Sequence, residues 1–155
     1  MPDTQTIETI KNVIVEILAA MGIVAEVEPE DTLTNGLVFN LTYPESKLLI
    51  GRQGSHLHAL QVLSQALVSK RLQALSRVSF SLDVDDYRRK REWYLRQTAK
   101  AAAENASFTG RSVKMEVMPH YERRVVHEFI QNNYPDVESE SIGREPYRSV
   151  IIKKK

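Results

Sequence analysis

From Ile7 the apolar residues Ile7, Ile10, Ile14, Ile17 and Met21 recur at helical spacing. Pro2-Asp3-Thr4 supplies start signals and Gly22 a stop, so a one-faced surface helix is predicted here. Val24 to Glu28 alternates weakly as a short strand, Pro29 to Thr34 reads as an acidic connector, and Asn35-Gly36 is a turn signal. Leu37, Phe39, Leu41 and Tyr43 then alternate with Val38, Asn40 and Thr42, setting one face of a strand against a core until Pro44 ends it. Ser46 to Ile50 reads as a short helix. Leu57, Leu60, Leu63 and Leu67 mark the buried stripe of a longer helix reaching about Leu75. Val78, Phe80, Leu82 and Val84 alternate with Ser79, Ser81 and Asp83 as a further strand.

Asp85-Asp86 can cap a new helix, which is expected to run to about Ser107 with Tyr87, Arg91, Tyr94, Leu95, Thr98, Ala102 and Ala106 on one side. This helix should begin a second module and join it to the first without a flexible linker. Val113, Met115 and Val117 alternate as a strand, and Pro119 sits where a first helical residue tolerates proline. The helix from Pro119 to about Asn132 is expected to bury Val125, Val126, Phe129 and Ile130, with His120, Arg123 and His127 on a polar face beside them. Val137 to Ile142 and Tyr147 to Ile152 read as a hairpin across Gly143-Arg144-Glu145-Pro146. The expected fold class is α+β, in two small modules over residues 1–84 and 85–155, each a three-stranded sheet packed on helices.

Composition narrows the class. A chain of 155 residues accommodates one ordinary domain or two very small ones, each near the size where a single core gives modest stability. The absence of cysteine excludes disulfides, thiol chemistry and cysteine-based zinc sites. No apolar run reaches the roughly 18 to 20 residues of a membrane span, and Met1 to Gln5 lacks the basic start of a signal peptide, so a cytoplasmic protein is expected. The net charge of +1 conceals an asymmetry. Residues 1–84 hold six basic and nine acidic residues, whereas residues 85–155 hold fifteen and eleven. The basic clusters Arg88-Arg89-Lys90-Arg91, Arg123-Arg124 and Lys153-Lys154-Lys155 all lie in the second part, as a local nucleic-acid footprint would require.

The candidate chemistry is concentrated at two places. Gly51-Arg52-Gln53-Gly54 stands between the apolar run ending at Ile50 and a helical pattern, where glycines let the backbone approach an anion and a helix start offers N–H groups. Arg123 and His127 lie one helical turn apart, with Arg124 beside them, and can address one phosphate or one ribose-phosphate step. Enzymatic alternatives find no support: His56-Leu57-His58 and His120 with His127 lack a third metal ligand, and no Gly-x-Ser-x-Gly elbow is present. No catalysis, metal or cofactor is expected.

In its context the Gly51–Gly54 loop resembles that of a KH domain, and the order helix, strand, strand, helix, helix, strand over about residues 5–84 resembles the bacterial type II form. The run Met118-Pro119-His120-Tyr121-Glu122-Arg123-Arg124-Val125-Val126-His127, followed by Glu138-Ser139-Glu140-Ser141-Ile142-Gly143 and Glu145-Pro146-Tyr147-Arg148, resembles the R-three-H domain. Together they resemble the Jag family of bacterial RNA-binding proteins, also called KhpB or SpoIIIJ-associated. Many members carry a separate N-terminal Jag domain, which is not expected within residues 1–155, and Ser55 stands where an acidic residue often follows the loop. The resemblance implies a non-catalytic protein gripping single-stranded RNA, with single-stranded DNA as an alternative ligand. Its implied role is post-transcriptional regulation or RNA chaperoning. It implies nucleic-acid contacts from Gly51, Arg52, Gln53, Gly54, Arg123, Arg124 and His127. The rival expectation, also from the resemblance, is an adaptor acting with a KH-only partner or peripherally with the membrane-protein insertase.

Overall fold

The computed structural model describes residues 3–32, 36–73 and 78–155. It divides into two compact units, Met1–Arg88 and Arg89–Lys155, and has the mixed α+β character expected, with a three-stranded sheet in each unit. Among the described residues no helix is long and apolar enough to cross a membrane.

In the first unit, α1 (Thr4–Ala20) starts where the Asp3 side chain accepts the Thr6 amide at 2.7 Å, and ends before Gly22, whose φ is 74°. It buries Ile10, Val13, Ile14, Ile17 and Leu18; Met21, expected on this stripe, is 58 % exposed just past the helix end. β1 (Glu26–Thr32) pairs antiparallel with β2 (Gly36–Thr42), and β3 (Ser81–Val84) runs parallel to β2 on its other side. The expected connector at Pro29–Thr34 is therefore corrected through Thr32. β1 is an edge strand, where Pro29 can sit opposite Phe39 although it donates no ladder bond. The turn signal at Asn35 lies outside the described residues.

Two helices and a tight turn connect β2 to β3: α2 (Ser46–Ile50), a single 3₁₀ turn (Arg52–Gly54) and α3 (Ser55–Arg71). The buried stripe of α3 is Leu57, Leu60, Gln61, Ser64 and Val68, so Leu63 and Leu67 are exposed, contrary to expectation. Four leucines suggested a stripe, but the helical period carries the inner face through a glutamine and a serine instead. The expected end of this helix near Leu75 lies outside the described residues. The core between α1, α3 and the sheet contains Phe39, Leu41, Leu82 and Val84, all essentially inaccessible, and Phe39 meets Phe80 edge to face at 5.8 Å.

In the second unit, α4 (Tyr87–Thr109) packs through Leu95, Ala99, Ala102, Ala103 and Ala106. Tyr94, expected on that side, is 45 % exposed. Asp85 and Asp86, at φ 51° and 57°, turn the chain sharply into α4, and Asp83 accepts the Arg88 amide in its first turn. β4 (Val113–Val117), α5 (His120–Asn133), β5 (Val137–Ile142) and β6 (Ser149–Lys154) follow, with β6 central and antiparallel to both neighbours. The core joins the alanine stripe to Met115, Met118, Val126, Ile130, Val150 and Ile152. α5 differs from expectation on its inner face, where Glu122 and Arg123 are buried and Val125 and Phe129 only partly so.

The buried charge between α4 and α5 is paired. Arg91 donates to both Glu122 oxygens at 2.9 Å, tying α4 to α5. Glu116 Oε1 lies 2.8 Å from the same guanidinium as a charge contact without hydrogen-bond alignment. Tyr94 adds its ring face at 5.2 Å. The Arg88–Arg91 run is thus not a uniformly solvated face. Arg91 is largely buried, and Arg88 Nε donates to Leu82 O at 2.8 Å within the first unit.

Candidate nucleic-acid interface

The glycine loop of the first unit is fixed by conformation and space together. Gly51 has φ 71°, and a Cβ placed there would stand 2.5 Å from the His56 ring and 2.8 Å from the His56 amide. Gly54 has φ 79° and is buried; a Cβ there would meet the Tyr87 ring at 2.7 Å. Neither position admits a side chain without displacement. Between them Arg52 is exposed, while Gln53 occupies the left-handed region at φ 53°, ψ 32°, a placement costing about 1–2 kcal/mol for a residue with a Cβ. Strain of this kind gathers at ligand clamps.

His56 braces the loop. Its Nδ1 lies 2.7 Å from Leu48 O, and since a carbonyl only accepts, Nδ1 carries the proton and joins α3 back to α2. From its spacing His56 is expected only as a candidate metal ligand; a ring against the bare Cα of Gly51 has no local signature. The main-chain donors are less open than expected, for Ser55 N bonds Arg52 O and Gly54 N approaches Gly51 O at 3.4 Å. The β3 edge nearby is also occupied. Gln61 accepts the Leu82 amide and donates to Phe80 O, which Gln65 also reaches.

In the second unit Arg123, expected on a polar face, is 3 % exposed. Its guanidinium donates to Met118 O at 2.9 Å and to Glu145 at 2.6 Å, holding the turn before α5 to the loop before β6. Arg124 is exposed and pairs with Glu128 one turn on. His127 bridges α5 to β5 through Nδ1 to Ser139 Oγ at 2.7 Å and Nε2 to Ser141 Oγ at 2.8 Å. Burial, reinforced by Arg123 and Arg148, holds its pKa below 6.5 and favours the neutral ring.

These side chains border two adjoining grooves. One of about 710 Å³ is lined by His127, Gln131, Ser139, Ser141 and Arg148 among others, and one of about 310 Å³ by His120, Arg123, Arg124, His127 and Arg148. Gln131 and Arg148 stand outside the expected contact residues, as do the serines as partners of His127. The alternation of Ser139 and Ser141 on one face of β5 was the available signal for the serines.

Residues 94–154 match the R-three-H domain. The chain is 32 % identical over 136 residues to the RNA-binding protein KhpB of Lactiplantibacillus plantarum, covering 88 % of this chain and 41 % of that protein. It is 35 % identical over 150 residues to the RNA-binding protein KhpB of Clostridium symbiosum, covering 94 % and 66 %. Against the RNA-binding protein KhpB of Bacillus subtilis it is 29 % identical over 119 residues, covering 76 % and 56 %. The chain thus spans from about two fifths to about two thirds of the length of these curated relatives.

Proposed function

The chain belongs to the Jag (KhpB) family, and from that premise we propose that it is a non-catalytic protein that binds single-stranded RNA at two places. In the first unit, read as a type II KH module, the Gly51-Arg52-Gln53-Gly54 loop takes the sugar-phosphate backbone. In the second, the grooves beside α5 take a further stretch, with Arg124 at their rim and Arg123 and His127 shaping their walls. The observation that carries this reading is the loop: two glycines that cannot be replaced without collision flank a strained Gln53 and an exposed Arg52. Bases are not expected to read the main chain of β3 at Phe80 and Leu82, because Gln61, Gln65 and Arg88 already engage it.

A second reading, protein docking, is favoured by one feature of α3: Val62, Leu63 and Leu67 are 52 %, 46 % and 39 % exposed. Titration of a labelled single-stranded RNA with the intact chain over a salt series separates the two. Phosphate contacts give a slope of log affinity on log salt of about −0.7 per phosphate, whereas apolar docking gives none. Absent or salt-insensitive RNA binding overturns the RNA reading.

A further inference from the structure

Arg148 is the residue before β6, and its carbonyl accepts the Met118 amide at 3.1 Å, which pins its backbone beside the end of β4. Its side chain lines both grooves with His127, Gln131 and Ser141. The other charged side chains around these grooves have acceptors or counter-ions in the protein. Arg123 is bound to Met118 O and Glu145, Arg124 to Glu128, and Glu138 and Glu140 to Lys153, while Lys155 Nζ donates to Pro135 O. Arg148 differs: its Nε is shut off from solvent, has no hydrogen-bond acceptor, and no ion pair is formed by the side chain among the described residues. A guanidinium donor held out of water without an acceptor is costly, and the natural complement of its planar fork is an oxyanion.

We infer that Arg148 is the anion-binding residue of this groove, its guanidinium seating a phosphodiester oxygen of a single-stranded nucleic acid, while Arg123 acts as a positioning residue. The identity of the anion rests on the RNA-binding reading above; the seat itself rests on the guanidinium donor without an acceptor. Arg123 is the cation that sequence spacing singles out, but its hydrogen bonds join parts of the protein to one another. Arg148 lines both grooves with a donor to spare.

The test follows the Arg148 Nε–H resonance of the intact chain during separate titrations with a short single-stranded RNA and with inorganic phosphate. Saturable movement with RNA, and weaker movement with phosphate, is expected. In parallel, R148M should weaken RNA binding about tenfold and reduce the magnitude of the salt slope by about 0.7, one phosphate contact on a single strand. Its melting temperature should not fall through lost hydrogen bonds, because Nε makes none. R148K, which keeps the charge without the fork, should retain the salt slope and lose part of the affinity, and it serves if R148M does not fold. Failure of the unsubstituted chain to bind RNA overturns the RNA-binding reading. An Arg148 signal unmoved by both RNA and phosphate, or substituted chains with unchanged affinity and slope, overturns the assignment of Arg148.

Discussion

Gln61 Oε1 accepts the Leu82 amide at 2.6 Å while Gln61 Nε2 donates to Phe80 O at 2.9 Å, so one helix side chain does for β3 what a neighbouring strand would do. β3 is the outer strand of its sheet and would otherwise present open main-chain groups. Gln61→Leu should therefore destabilise the first unit by about 1–3 kcal/mol, the cost of leaving the Leu82 amide without its acceptor while Phe80 O keeps Gln65. Chemical denaturation measures it. A loss no larger than that of a surface substitution would show that water replaces the amide without cost.

Arg52 and Gln53 permit the cleanest functional test. Arg52 is exposed, and aspartate tolerates the left-handed conformation held by Gln53. The double change Arg52→Asp, Gln53→Asp should leave melting behaviour near that of the unsubstituted chain and weaken RNA binding at least tenfold, since two carboxylates replace a cation and an amide beside phosphate. Unchanged affinity with unchanged melting would leave the loop as a turn between two helices.

The order of elements was legible from apolar spacing, as in α1, β2 and the β5–β6 hairpin, because each periodicity is local. What escaped depends on residues distant in sequence. Gln61 is buried because β3, about twenty residues later, uses its amide, and nothing near Gln61 announces that partner. The spacing of Arg123 and His127 was visible; their commitments were not, since Ser139 and Ser141 come from β5 and Glu145 from the loop after it, 12 to 22 residues further along the chain. Pro29 was read as breaking a strand because its tolerance depends on β1 being an edge, a property of the sheet.

His127 makes stability depend on pH in a definite direction. Burial first, then Arg123 and Arg148, lower its pKa from 6.5, so below that pH the unfolded chain takes up a proton that the folded chain resists. The contribution is fully present above 6.5 and is lost as pH falls from 6.5 through the lower folded value. Denaturation from about pH 8 to about pH 5 should show this loss in the unsubstituted chain, with a smaller loss in His127→Asn. Equal pH dependence in the two chains would mean that other groups account for it.

Arg91 and Glu122 provide the sharpest separation of scaffold from binding surface. Their paired hydrogen bonds at 2.9 Å are removed from solvent, with Glu122 side-chain exposure at 1 % and Arg91 at 11 %. Glu122→Leu leaves Arg91 with Glu116 and the Tyr94 ring, an incomplete replacement, and should cost about 3 kcal/mol. Replacing both partners, Arg91→Met with Glu122→Leu, removes the buried pair together and should recover most of that loss, short of the charge contact that Glu116 gives up. Urea denaturation of the two single substitutions and the double gives the coupling directly. RNA affinity then distinguishes the roles of this basic run. If Arg91 serves the scaffold alone, the double substitution binds as tightly as the parent chain despite the lost cation; a tenfold loss with stability restored would return Arg91 to the binding surface.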